Sequence, residues 1–227
     1  MVSPIRKMFD DISLRYDFLN HTLSCFRDIS WRNSCCKELK QLNPGKRVLD
    51  LCGGTGDFIN TYHKHIGQTE KSILGDFSFG MLSCAKKKNI QTTPIQLDAM
   101  KMPFGENIFD VVLNGFGMRN LPDTEIGLKE AYRVLSPGGF LVVLDFFSPR
   151  NKFNTFFYKR LAPLFIPFLG AFFSKKRSAY EYLLSSIQNF LTVKNFLDLA
   201  ENNGFKVVLE KPCDFGIAYR IILQKEL

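Results

Sequence analysis

The sequence predicts an α/β fold: a seven-stranded, mostly parallel sheet with an antiparallel last strand, in a single domain spanning 1–227. Three observations carry that reading. Apolar runs rich in β-branched residues recur along the chain, the gaps between them have room for helices, and the first run leads into a glycine-rich turn. At 227 residues, 45% of them hydrophobic, the chain can bury one sizeable core, whereas two full domains would be cramped.

The elements follow in order. The strands are RVLDLC (47–52), SILGDF (72–77), PIQLDA (94–99), DVVLNGF (110–116) and FLVVLDF (140–146). Between them, Met81 to Lys88 is Ala/Lys-rich. Thr124 to Leu135 places Ile126, Leu128, Ala131, Val134 and Leu135 largely on one side, before Ser136-Pro137-Gly138-Gly139 stops the helix. A helix over Thr192 to Asn202 precedes two last strands, FKVVLE and AYRIILQ, separated by a short Pro- and Gly-containing link as in a hairpin.

The turn after the first strand narrows the ligand class. LDLCGGTGDF (49–58) is not a dinucleotide fingerprint, since counting Gly-x-Gly-x-x-Gly from Gly54 puts Ile59 at the third glycine. It is not a Walker loop either, for no Gly-Lys-Ser/Thr follows. What remains is a strand bearing Asp50, a tight turn through Gly53, Gly54 and Gly56, and then Asp76 at the tip of the second strand, placed to accept ribose hydroxyl hydrogen bonds.

The stretch resembles the first motif of class I S-adenosylmethionine-dependent methyltransferases, whose sheet is Rossmann-like. Asp98-Ala99 ahead of Met102-Pro103-Phe104 and Phe109-Asp110 resembles the segment in which such enzymes hold the adenine. Cys52 replaces the usual first glycine, as is typical of one subgroup, the ubiquinone/menaquinone biosynthesis C-methyltransferases. That likeness continues in Met8-Phe9-Asp10-Asp11-Ile12, Tyr16-Asp17-Phe18-Leu19-Asn20, Phe116-Gly117-Met118-Arg119-Asn120, Tyr132-Arg133-Val134-Leu135 and Tyr182-Leu183 with Ser186-Ile187. It runs from about Lys7 to the C-terminus.

The resemblance implies S-adenosyl-L-methionine as cofactor, with Asp50, Gly53, Gly54, Thr55, Gly56, Asp76, Phe77, Asp98 and Ala99 around it and Gly115 contributing only backbone. No metal is needed. The implied acceptor is a polyprenylated quinol, demethylmenaquinol becoming menaquinol or, as the alternative, a 2-polyprenyl-6-methoxy-benzoquinol. Arg119 would stabilise the phenolate, Tyr16 with a water would handle the proton, and Asn120 is a further catalytic candidate. The blander roles for Tyr16 and Asn120 are to fix an N-terminal lid and cap a turn. Arg119 carries more weight, because a guanidinium at the ligand-bearing edge is costly to place without a partner.

Residues 1–45 read as a helical extension on the substrate side, and 150–185 as an aromatic, basic lid insertion. Phe146 to Tyr182 is dense in aromatic side chains and has no acid as far as Tyr180. Lys and Arg residues flank its apolar run Leu161 to Phe173, which is too short, and too broken by Pro163 and Pro167, to span a bilayer. An interfacial helix admitting a polyprenyl tail from the membrane is the functional reading; a sheet-edge cover or homodimer contact is the structural one.

A net charge of +8 points to an anionic partner, and the lipid surface fits it better than nucleic acid. The place of an Asn/Asp-Pro-Pro-Tyr motif reads Asn114-Gly115-Phe116-Gly117. An RNA methyltransferase and a non-catalytic lipid-binding protein stand as the competing classes. The six cysteines show no CxxC pair or zinc spacing, and the N-terminus has no apolar signal core, which points to a cytoplasmic bacterial protein, peripheral at the inner face of its membrane. His63 and His65, two apart on a helix, read as a surface pair. Trp31 reads as core, and Cys35-Cys36 as one buried and one exposed thiol.

Overall fold

The computed structural model describes residues 4–148, 177–216 and 218–226. Three helices, α1 (Pro4–Ile12), α2 (Tyr16–Leu23) and α3 (Arg27–Gln41), precede the first strand. There follow β1 (Arg47–Leu51), α4 (Asp57–Ile66), β2 (Lys71–Asp76), α5 (Phe79–Lys87), β3 (Thr93–Gln96) and β4 (Phe109–Gly115). After them come α6 (Thr124–Val134), β5 (Leu135–Asp145), α7 (Arg177–Asn189), α8 (Val193–Asn202), β6 (Phe205–Cys213) and β7 (Ala218–Lys225).

The seven strands form one sheet in the order β3-β2-β1-β4-β5-β7-β6. β7 runs antiparallel to both β5 and β6, and the pairings among β1 to β5 are parallel. The strand order reverses between β1 and β4, so the helices that follow these two strands leave to opposite sides. A crevice opens at their carboxyl ends, where ligands of open α/β sheets bind.

Strand alternation supplies two cores from one sheet. Leu49, Leu51, Val112, Leu141 and Val143 pack towards α6 and α8, while Val48, Val111, Leu113, Val142 and Leu144 face α3, α4 and α5. All ten are fully buried, so truncating one of the leucines to Ala removes about 2–5 kcal/mol. Caps set the helix starts: Ser78 Oγ accepts from Met81 N, Asp123 from Ile126 N and Thr192 from Asn195 N.

Two expectations change in detail, and a third lies mostly outside the described residues. The Ser136–Gly139 stretch does not lie between helix and strand; Leu135 already pairs with Phe109, and the register then shifts so that Phe140 opposes Val111, leaving the four residues as an irregularity inside β5. Cys35 and Cys36 are both buried, because successive residues on a helix still fall within the wide apolar stripe of α3, and burial pushes both thiols up, Cys36 to about 12. Most of the 150–185 insertion lies outside the described residues. Trp31 is buried as expected, and its indole N–H donates to Asp214 at 2.8 Å. Among the described residues no helix is long and apolar enough to cross a membrane.

Candidate active site

The chain leaves β1 through backbone that side chains rarely adopt. Cys52 has φ 57°, Gly54 57° and Gly56 86°, and across the crevice Phe116, just after β4, has φ 60°. Two non-glycine residues held in the left-handed region at one sheet edge mark strain of the kind that collects at functional sites. The two loops approach closely here: a Cβ on Gly117 would lie 2.6 Å from Cys52 Cβ.

The three glycines of the turn do different work. A Cβ on Gly53 would meet Leu74 Cδ1 at 2.3 Å and Asp50 Cγ at 2.6 Å, so Gly53 lets the turn pack on the sheet. Gly56 opens α4 and would strike Ile90. At Gly54 a Cβ would find only Tyr16 Cε1, at 3.7 Å, so this glycine faces open space. The space is a cavity of about 540 Å³ at the β1/β4 crevice, sized for a small ligand.

Its floor is Cys52, Gly54 and Asp76. One wall is Phe77 with Gln96 to Met100, the other Phe116, Gly117 and Asn120 to Pro122, and the roof is Ile5, Arg6 and Phe9 of α1 with Tyr16 of α2. Asp76 accepts from Gly54 N at 2.9 Å through one oxygen and from Ser78 N at 2.8 Å through the other. Those bonds hold the carboxylate without a counter-ion among the described residues, and burial pushes its pKa up to about 6. A carboxylate oxygen can accept more than one hydrogen bond, so Asp76, which lines the cavity, has acceptor capacity left for a vicinal diol.

The roof is tied down by acids. Asp10 accepts from Ser78 Oγ at 2.5 Å and Gly80 N at 3.0 Å. Asp17 is hydrogen-bonded to Thr55 Oγ1 and lies 2.6 Å from Lys88, which also reaches Asp57 at 2.7 Å. Phe9 fits between Phe77, Tyr16 and Tyr182 in edge contacts of 5.8, 6.0 and 6.4 Å.

Of the sequence-predicted cofactor residues, Gly54, Asp76, Phe77, Asp98 and Ala99 line the cavity. Asp50, Gly53, Thr55, Gly56 and Gly115 stand behind its wall. Asp50 is fully buried and accepts from Ile59 N at 3.0 Å, pinning the start of α4, with burial raising its pKa to about 7. Thr55 turns to Asp17 and Lys88. The Cα of Gly115 faces Phe58, whose ring would be 2.9 Å from an added Cβ, because strand alternation aims that position away from the crevice.

Tyr16 and Asn120 line the cavity, and burial raises the Tyr16 hydroxyl above its usual value. Arg119 does not line it. Its Nη1 donates to Asp145 at 2.6 Å and to Phe116 O at 2.7 Å, its backbone N–H reaches the same carboxylate at 3.2 Å, and its plane lies near the rings of Phe116 and Phe146. The partner that the sequence argument asked of a ligand is therefore supplied by the fold. Arg119 Nε is nonetheless buried without a partner among the described residues.

Arg119 and Asn120 belong to a second hollow of about 590 Å³, which shares Ile5, Asn120, Leu121 and Pro122 with the first. Between the two, Tyr182 Oη donates to Asn120 Oδ1 at 2.9 Å, and Asn120 Nδ2 donates to Phe116 O at 3.0 Å. The sequence alone gives Tyr182 no role, and nothing local in it joins Arg119 to Asp145, which closes the next strand. His21 bonds Asp28 at 2.8 Å.

The model of the ubiE/COQ5 methyltransferase family matches residues 2–223. A demethylmenaquinone methyltransferase of Staphylococcus saprophyticus is 36% identical over 217 residues, covering 94% of this chain and 93% of the relative. One of Chlorobaculum tepidum is 36% identical over 227 residues, covering 98% and 93%. Among solved structures, a methyltransferase of Bacillus halodurans superposes with a TM-score of 0.62 at 19% identity, covering 86% of this chain and 99% of that one. A SAM-dependent methyltransferase of Thermotoga maritima does so at 0.62 and 20%, covering 95% and 100%. Those two likenesses bear on the fold alone.

Proposed function

This chain belongs to the ubiE/COQ5 methyltransferase family, and from that premise we propose that it methylates a ring carbon of a polyprenylated quinol, converting demethylmenaquinol to menaquinol. The observation that carries the reading is Asp76: a carboxylate without a counter-ion among the described residues, open to a cavity beside a left-handed glycine, at the point where the strand order reverses. S-adenosyl-L-methionine supplies an electrophilic methyl group on a sulfonium.

The residues present fit that cofactor. Asp76 would take the ribose hydroxyls, Gly54 would give the sugar room, and Phe77, Asp98 and Ala99 would receive the base. Held there, the cofactor would supply its methyl group to a ring carbon by in-line displacement, and the ring would give up one proton in exchange. Most of the catalysis lies in holding the two carbons in line.

The chain's part in the acceptor chemistry falls to Arg119, Tyr16 and Asn120. Arg119 and the fixed amide of Asn120 line the second hollow, where a phenolate oxygen of the acceptor would be met. The Tyr16 hydroxyl, which burial raises above its usual value, would donate to that oxygen and steer a water towards the departing proton. The basic, aromatic 150–185 segment is assigned to peripheral contact with the cytoplasmic face of the membrane, from which the prenylated acceptor arrives.

Purified protein incubated with S-adenosylmethionine and reduced demethylmenaquinone tests this directly. The expected product is heavier by one methyl group in place of hydrogen. Methylation of a 2-polyprenyl-6-methoxy-benzoquinol alone would redirect the substrate assignment, and methylation of neither would end it.

A further inference from the structure

The wall that ends the cavity is a short loop with few main-chain bonds of its own, seated on the core through Ala99 and Met102. From Asp98 to Phe104 it has an isolated bridge, Asp98 to Lys101, and two local bonds, Met100 N to Asp98 Oδ1 at 2.9 Å and Lys101 N to Asp98 O at 3.1 Å. Yet Asp98, Ala99 and Met100 form the cavity surface. Two side chains from outside the cavity make up the deficit. Glu130, on α6, accepts from Met102 N at 2.7 Å. Arg133, one turn later, donates to Phe104 O at 2.7 Å and to Met102 O at 3.2 Å.

The two are locked to each other as well as to the loop. Arg133 Nε donates to Glu130 Oε1 at 2.7 Å and Nη2 to Oε2 at 2.8 Å, the forked pairing that suits a planar guanidinium. That pairing holds the Glu130 carboxyl below its usual range, so it stays an acceptor throughout the neutral region. Three main-chain groups on two residues are thus gripped from one helix face, and α6 is anchored in the core through Leu128, Ala131 and Val134.

We propose that Glu130 and Arg133 are positioning residues for the cofactor: a clamp that fixes the 98–104 loop so that Asp98 and Ala99 present a preformed surface to the adenine. Neither side chain lines the cavity; both act through the main chain of Met102 and Phe104. Without the clamp the loop must be ordered at the moment of binding, and that cost falls on cofactor affinity. The inference rests on the proposed cofactor site.

Calorimetry with S-adenosylmethionine and with 5′-methylthioadenosine, which keeps the nucleoside and lacks the amino-acid end, tests it together with steady-state kinetics. Arg133→Ala is expected to weaken both ligands at least tenfold and by the same factor, with the kinetic loss in cofactor KM rather than in kcat. Arg133→Lys, which keeps the charge without the fork, should fall between it and the unaltered protein. Glu130→Gln removes the ion pair while keeping an acceptor for Met102 N, and carries the test if Arg133→Ala does not fold; about a threefold weakening is expected. Affinities within twofold of the unaltered protein in every folded variant overturn the clamp, and so does a loss confined to kcat. Failure of the unaltered protein to bind S-adenosylmethionine would instead remove the cofactor site itself.

Discussion

Two carboxylates close parallel strands at the same edge of the sheet, Asp76 on β2 and Asp145 on β5, and the fold treats them in opposite ways. Both are buried and both accept two backbone N–H groups. Asp145 has in addition the guanidinium of Arg119 at 2.6 Å and no opening to the cavity. Asp76 has no cation among the described residues and opens onto the cavity. The difference teaches how a candidate ligand site is told from a structural one: a buried charge that the protein neutralises itself is part of the framework, and one that also opens onto a cavity can take hydrogen bonds from a ligand there.

The largest effect is expected where the framework pair is broken. Arg119→Ala leaves Asp145 buried without its cation, and a loss of about 3–5 kcal/mol in unfolding free energy should follow in denaturant melts. The double variant Arg119→Ala, Asp145→Asn should recover most of that loss. Stability unchanged in the single variant would break the comparison from the framework side. If the double variant is stable yet turns over slowly, Arg119 also serves the acceptor.

Next comes the ligand side. Asp76→Ala should weaken S-adenosylmethionine at least hundredfold, on the order of 2.7 kcal/mol, while the protein stays folded. Equal affinity by calorimetry would remove Asp76 from the site.

The smallest effect is graded with pH and sharpens the contrast. With a folded pKa of about 6, above the ordinary carboxylate value, Asp76 is neutral in acid, and the proposed contact with two hydroxyls needs its ionised form. Cofactor affinity should therefore rise about tenfold per pH unit as pH approaches 6 from below, then level off. Asp76→Asn should flatten that rise. The ligand-free protein should move the other way: raised folded values at Asp76 and Asp50, about 6 and about 7, mean that the folded state holds protons the unfolded chain has released. Their contribution to stability is fully present below pH ~4 and declines as pH rises towards 7. Asp76→Asn keeps the neutral form at every pH, so its melting midpoint should gain on that of the unaltered protein across this window. A constant difference between the two would contradict the raised value.

Much of this was legible in the chain. The strand positions followed from apolar runs, because one sheet buried on both faces needs continuous V/I/L segments, and the antiparallel last strand followed from the hairpin-like link before AYRIILQ. Gly54 and Asp76 were readable because the turn and the strand tip are local in sequence. The role of Arg119 was not, since its partner closes the following strand, beyond the whole of α6, and only pairing of β4 with β5 brings the two together. The same holds for Thr55, whose hydroxyl meets Asp17 on a helix that precedes β1, and for the Glu130–Arg133 grip on the 98–104 loop.

The sequence by itself determined the alternation of strands and helices, the family, and the turn that opens onto the cavity, because periodicity, glycine placement and motif order are properties of neighbouring residues. Only the tertiary structure decided which charges are consumed and which are left over. Whether a buried carboxylate finds a cation depends on distances across the sheet, and the cost of burying it unpaired is set by that environment rather than by its place in the chain.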